Sequence, residues 1–452
     1  MVFFRFLVIF FITINAHNQA FADSKTRVID WQEQITLTDD GKKGQVTVEM
    51  QVINLPKNYQ INSYQISSSS QNLIEFSQVM IDGVKAQFVQ NTNSLQVKFN
   101  EAKRNQEFFK ISYSYHEKYT KLYHELRQEA VYVPSFANRA NYKIIFNYPT
   151  KYDLLTNHYQ AGKSKNDQMA SLVFQGNASP EGFLEKIRLT TASAKWQATV
   201  RNIITLNNLK GSLEAKTPIL FRDGPQLIEK QELTSSFASK DRGTDKRNIF
   251  FKFNVDETVD KIIIENRASV ITGKKNQNNF QRNPLNYKDF TKEEESHVIG
   301  LVDRVKKDPI YKNLALYSAL TMFVNSYIKY DLSYYGKEPA LEQIVENPQG
   351  VCSEYARLLN AMARVAGIPA ITVNGLAVND KGEFEAHAWN ALYVDGGWVF
   401  VDPTWGLANG NVSSSHIYLR DEGNKDIELK FFGNKDAKLD ADFEFVVEKI
   451  ID

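Results

Sequence analysis

Two periods of apolar and polar positions divide this chain. Up to about residue 285 the alternation is strand-like. Gln45–Val52 (QVTVEMQV) puts Val46, Val48, Met50 and Val52 on one face, and Phe109–Tyr115 does the same. Tyr142–Tyr148 and Ile249–Val255 alternate with one extra apolar residue each. Short half-buried strands separated by Asn, Gly, Ser and Lys predict antiparallel β-sandwiches. We read 23–193 as one β-sandwich region and 194–285 as a second module with its linker, with a break near Ala192–Lys195. Lys240–Arg247 and Gly273–Arg282 are polar and charged, and read as a loop and an interdomain linker.

From about residue 286 the period becomes helical. Thr291-Lys-Glu-Glu294 is a capping-box signature ahead of Val298, Leu301, Val302 and Val305, and Pro309 closes that helix. Tyr317, Leu320, Val324 and Tyr327 mark a second helix, and Ala340–Asn347 a short third one stopped by Pro348. Gly350 to Pro369 carries a stripe of Tyr355, Leu358, Leu359, Met362 and Ala366, with Gly367 where a C-terminal cap belongs. Ala370–Val378 reads as a strand. Residues 286–452 are therefore expected to form an α+β domain, behind an all-β N-terminal part.

Composition narrows the function classes. Among 452 residues, 42% are hydrophobic and 24% charged, as in globular proteins. Lys and Arg number 54 against 53 Asp and Glu, so no net charge draws the chain to nucleic acid or an acidic membrane surface. Met1–Ala22 has Arg5, an apolar core from Phe6 to Ile12, and Ala20-Phe21-Ala22 as a cleavage pattern. It predicts a cleaved leader, 1–22, and a secreted or periplasmic protein without a stable membrane anchor. The single cysteine, Cys352, excludes a disulfide within the chain and a thiolate zinc cage. His116, His124, His158 and His297 are too scattered for a metal site, and no phosphate, dinucleotide or calcium motif is present. No metal or cofactor is expected.

Cys352 falls at the start of the fourth helix, where unpaired N–H groups and the dipole favour a thiolate. A free cysteine is more often a small buried hydrophobe; the segments that follow change the balance. Asp395-Gly396 lies between two apolar runs, the mark of a hairpin. With these two residues as the loop, Val394 faces Gly397 and Asp402 faces Trp389. His387 then lies diagonal to Asp402 on the same face, roughly 7–8 Å away at Cα. Thiol, imidazole and carboxylate are the parts of an activated nucleophile.

These segments resemble the transglutaminase-like superfamily of papain-like cysteine enzymes. The resemblance rests on Gly-x-Cys-Ser-Glu-Tyr with a helix ending Gly-Ile-Pro, then His-Ala-Trp-Asn, then Gly-Trp-Val-x-Val-Asp-Pro-Thr-Trp. It spans about 290–425, under a third of the chain. It implies a nucleophile at Cys352, a base at His387 and an orienting acid at Asp402, in a helix-on-antiparallel-sheet fold. It does not fix the reaction, since the superfamily holds transglutaminases, peptidases, amidases and inactive descendants. Animal transglutaminases add an upstream tryptophan as oxyanion donor. No tryptophan lies between Trp196 and Trp389 here. The backbone N–H of Cys352, Gln349 or Tyr330 are the candidate donors, and Trp389 a candidate substrate contact. Trp398 and Trp405 read as packing around the hairpin, and His416 as packing or capping. The expected partner is a protein or peptide substrate, cell-wall peptide included. The rival is a silent member of the fold, binding or adhering through its β-sandwich modules.

Overall fold

The computed structural model describes residues 26–450 apart from 39–42, 55–59, 68–73, 92–93, 105–106, 119–121, 124–125, 134–139, 157–160, 178–182, 245–247, 380–381, 422–426 and 435–437. The predicted leader lies outside the described residues. The chain divides into two units.

The first unit comprises Met1–Leu122, Arg127–Tyr152 and His158–Arg188. Its largest sheet is built on β1 (Thr26–Leu37), β2 (Lys43–Asn54), β3 (Phe108–Lys118), β4 (Asn141–Pro149) and β5 (Met169–Asn177). The predicted alternation is realised in β2, where Val46, Val48, Met50 and Val52 are all buried. One pairing departs from the antiparallel expectation: β1 runs parallel to β4, with Trp31 opposite Tyr142. A three-stranded sheet, Gln60–Ser67 with Gln87–Asn91 and Ser94–Arg104, contributes Tyr64 and Phe99. Both rings meet Phe109 of β3 edge-on, at 6.3 and 5.2 Å. Two sheets thus bury one shared apolar face, as a sandwich requires.

The second unit opens with another sandwich, made of β6 (Ala194–Asn207), β7 (Gly211–Pro218), β8 (Leu227–Ser235), β9 (Asn248–Val255) and β10 (Lys261–Thr272). The helical part follows: α1 (Lys292–Lys307), α2 (Leu316–Tyr327), α3 (Leu341–Glu346) and α4 (Cys352–Val365). The Thr291 hydroxyl accepts from Glu294 N, and the Glu294 carboxylate accepts from Thr291 N, completing the predicted capping box. Helix α4 packs on a sheet of β11 (Ala370–Val378), β12 (Phe384–Val394), β13 (Gly397–Val401) and β14 (Ile417–Asp421), in the order β13-β12-β11-β14. Tyr355, Leu358, Leu359 and Met362 are buried between α4, α1, α2 and that sheet.

Two sequence expectations are corrected. Gly273–Arg282 is no free linker. Phe280 is fully buried against Phe400 and Tyr418, and Arg282 pairs with Asp421 at 2.7 Å, both nearly buried. The partner acid lies far along the chain, which local polarity cannot reveal. The residues after β14 also leave the helical part. Strands β15 (Glu428–Gly433) and β16 (Lys438–Lys449) return to the sandwich, where β15 pairs with β7 and β16 with β6.

Candidate active site

Three elements converge on one point. Gly350 sets the start of α4: a Cβ there would overlap Glu354, whose side chain folds back across it. The Glu354 carboxylate accepts from Val351 N at 2.8 Å, which leaves Cys352 as the first helical residue. Its N–H has no partner four residues upstream within the helix, as at any helix start. Asn390 of β12 donates to Ala356 O and to Asn360 Oδ1, both at 2.8 Å. A buried amide thus fixes the height of α4 on the sheet that carries His387.

The hairpin has the predicted register, Val394 opposite Gly397 and Asn390 opposite Val401. The ladder stops there. Asp402 instead exchanges both backbone hydrogen bonds with Leu407, closing a turn. Asn325 of α2 holds that turn by donating to Pro403 O and Thr404 O. The expected pairing of Asp402 with Trp389 is therefore not made, yet the His387 and Asp402 side chains meet: His387 Nε2 lies 2.9 Å from Asp402 Oδ2. Cys352 at the start of α4 is the other ionisable group that acts on the imidazole.

Burial penalises a charged imidazole, but the Asp402 charge and hydrogen bond, helped by Cys352, outweigh it and push His387 up to about 10. For Asp402, burial works toward protonation; the His387 charge and the two imidazole donors win, and hold the carboxyl well below its usual range. Trp405 stacks face to face on His387 with centroids 4.2 Å apart and an interplanar angle of 7°, which also favours the cationic ring.

One member of the site was not legible as such. His416, ahead of β14, is buried, and its Nε2 lies 3.3 Å from the same Asp402 Oδ2. The donor atoms of His387, Asp402 and His416 lie within 4.8 Å of one another. With both Nε2–H groups turned onto the carboxylate, this is a hydrogen-bond centre. The run Ser413-Ser-Ser-His416 was the signal in the sequence, but its approach depends on β14 pairing with β11, a contact far from local.

The other candidates fall as follows. Tyr330 is 46% exposed and feels the Cys352 charge; burial first, then that charge, push its phenol up to about 12, so it keeps its proton as a donor. It pairs with Gly350 in a two-residue ladder. Gln349 sits beside it, but its amide donates to Asn347 Oδ1 at 3.3 Å. Trp389 is fully buried, so it packs behind the imidazole and has no surface for substrate.

Residues 300–403 match the model of the transglutaminase-like superfamily. Kyphoscoliosis peptidase of Mus musculus is 33% identical over 113 residues, 21% of this chain and 16% of that protein. The Homo sapiens protein is 31% identical over 117 residues, 23% of this chain and 18% of its own length. The chain thus spans under a fifth of these relatives. Among solved structures, a candidate cysteine protease from Cytophaga hutchinsonii aligns at TM-score 0.37 and 18% identity, over 57% of this chain and 92% of that one. An M1 zinc metallopeptidase from Deinococcus radiodurans aligns at 0.29 and 8%, over 38% and 44%. Residues 300–403 are a transglutaminase-like domain.

Proposed function

We propose that this chain is an exported cysteine-dependent acyl-transfer enzyme that attacks peptide or isopeptide amides. The observation that carries the reading is the buried His387–Asp402 pair at 2.9 Å, with Cys352 at the start of α4 near enough to act on the imidazole. The imidazole takes the thiol proton and is held as imidazolium by Asp402. The thiolate adds to the amide carbonyl, and the oxyanion faces the Cys352 N–H and the Tyr330 hydroxyl. Collapse breaks the C–N bond, and the His387 proton passes to the departing amine, leaving a thioester on Cys352. Water then gives hydrolysis and an amine gives transamidation, with His387 removing the acceptor's proton in either case.

A leader at Met1–Ala22 supports export, with protein or cell-wall peptide as the substrate class. The test is a screen of peptide, isopeptide and cell-wall substrates, with amine acceptors present and absent, comparing the wild type with Cys352→Ala. Turnover lost in the variant is the expected result. Turnover retained in it, or a Cys352 that alkylates no faster than free cysteine at pH 6, overturns the reading in favour of a silent fold.

A further inference from the structure

We propose that His416 is a positioning residue for Asp402, and that the neighbouring β-sandwich sets its place by gripping Ser414. The inference rests on the acyl-transfer reading above and deepens it. It gives the sandwich of the second unit a part in the chemistry.

The hydrogen bonds around Asp402 fix the protonation pattern. Oδ1 accepts from Thr404 N at 2.9 Å and from Trp405 N at 3.3 Å. Oδ2 faces His387 Nε2 and His416 Nε2. An ionised carboxylate only accepts, so both ring nitrogens must carry hydrogen. Four N–H groups then occupy the carboxylate, and it cannot rotate without breaking two of them. His416 Nδ1 lies 2.8 Å from Ser413 Oγ, which is 2.7 Å from Ser415 Oγ. With Nε2 protonated, Nδ1 of a neutral ring accepts from the Ser413 hydroxyl, and Ser415 donates to Ser413. Burial and the nearby His387 charge both lower the pKa of His416, against the pull of Asp402. A neutral His416 thus fixes Asp402 without competing for the positive charge that belongs on His387.

The grip on Ser414 comes from outside the helical part. Ser414 N donates to Thr190 Oγ1 at 2.9 Å. Its hydroxyl lies 3.0 Å from Thr190 Oγ1 and 2.9 Å from Thr191 Oγ1. Its carbonyl accepts from Trp196 Nε1 of β6 at 2.9 Å and from Thr272 Oγ1 of β10. Every polar atom of Ser414 is engaged, and Ser414, Thr190, Trp196 and Thr272 are all buried. A residue two positions from His416 is therefore anchored in the sandwich.

The ionisable groups acting on His416 are Asp402 and His387. Those acting on His387 are Asp402 from the end of β13 and Cys352 from α4. Tyr330 in turn feels the charges of Cys352, Glu385, Tyr355 and Asp402. Removing the His416 donor leaves more of the Asp402 charge to His387, so the His387 titration must move up.

The test uses the full chain with labelled histidine side chains, followed by nitrogen NMR across pH 5–11. Alkylation of Cys352, the only thiol, is measured beside it. His416 is expected as the neutral Nε2–H tautomer, titrating below a free histidine. His416→Phe removes the donor and is expected to raise the His387 titration by about 0.5 unit or more. His416→Gln, which keeps an N–H near the old Nε2, is expected to bring it back to within ~0.2 unit. The double variant Trp196→Phe/Thr272→Val, which frees the Ser414 carbonyl, is expected to shift it upward as well. A wild-type His387 titrating near 6.5 with an unreactive Cys352 would sink the acyl-transfer reading itself. A reactive Cys352 with His387 unmoved in His416→Phe, or moved equally in His416→Gln, overturns the role of His416. An unmoved double variant overturns the grip. Should His416→Phe fail to fold, a wild-type neutral His416 carrying its proton on Nδ1, or one titrating at or above a free histidine, overturns the proposal by itself.

Discussion

Asp402 shows how a buried charge constrains its own replacement. All its acceptor capacity is taken by N–H donors, so Asp402→Asn must turn an NH₂ toward either the two imidazoles or the Thr404 and Trp405 amides. The variant is expected to lose turnover, because the amide no longer stabilises imidazolium. It is also expected to lose about 1–3 kcal/mol of stability, read by denaturant unfolding. The two histidines bend the pH dependence of stability in opposite senses. The raised His387 contributes stability that is full below about pH 6.5 and is lost toward its folded value of about 10. The lowered His416 contributes stability that is present above its unfolded value and is lost as pH falls through its folded one. Melting temperature is therefore expected to fall on both sides. His387→Gln should flatten the alkaline side and His416→Gln the acid side. The approach of His387 to Asp402 was legible in sequence, because a hairpin register is a local property. That of His416 was not, because it depends on β14 pairing with β11 and on Ser414 being held by the sandwich.

At the scale of the element, α4 is aimed by its two ends. The Glu354 side chain crosses Gly350 to reach Val351 N, so any Cβ at 350 displaces the first turn. Gly350→Ala is expected to slow Cys352 alkylation at pH 6 by about tenfold, since a lost buried hydrogen bond of that kind is worth at least ~1 kcal/mol. Circular dichroism should show the helix content nearly unchanged. If alkylation keeps its wild-type rate, the first turn is not what orients the thiol. The boundaries of α4 were legible, because Gly350, Gly367 and Pro369 punctuate it. The docking of Phe280 and Arg282 was not, since a polar segment with one aromatic residue looks the same whether it is loose or anchored.

At the scale of the whole molecule, the lone thiol makes one simple expectation: reductant should leave the melting temperature unchanged. A fall of several degrees would point to a bridge between two copies. The sandwich of the second unit is the larger lesson. Alternation identified its strands, but local pattern cannot assign partners, and two of them lie at the far end of the chain. Trp196 pairs with Lys449, and Leu213 with Phe431. Deleting 428–450 should therefore cost cooperative unfolding and Cys352 reactivity together, although Cys352, His387 and Asp402 are all kept. The same threading has a consequence in time. Translation delivers Cys352, His387 and Asp402 well before the strands that complete the sheets behind Ser414. A chain made only as far as Asp402 thus holds its thiol in an unfinished frame until β15 and β16 join the sheets. For a protein proposed to cut or join amide bonds, that order delays reactivity until β15 and β16 have been made.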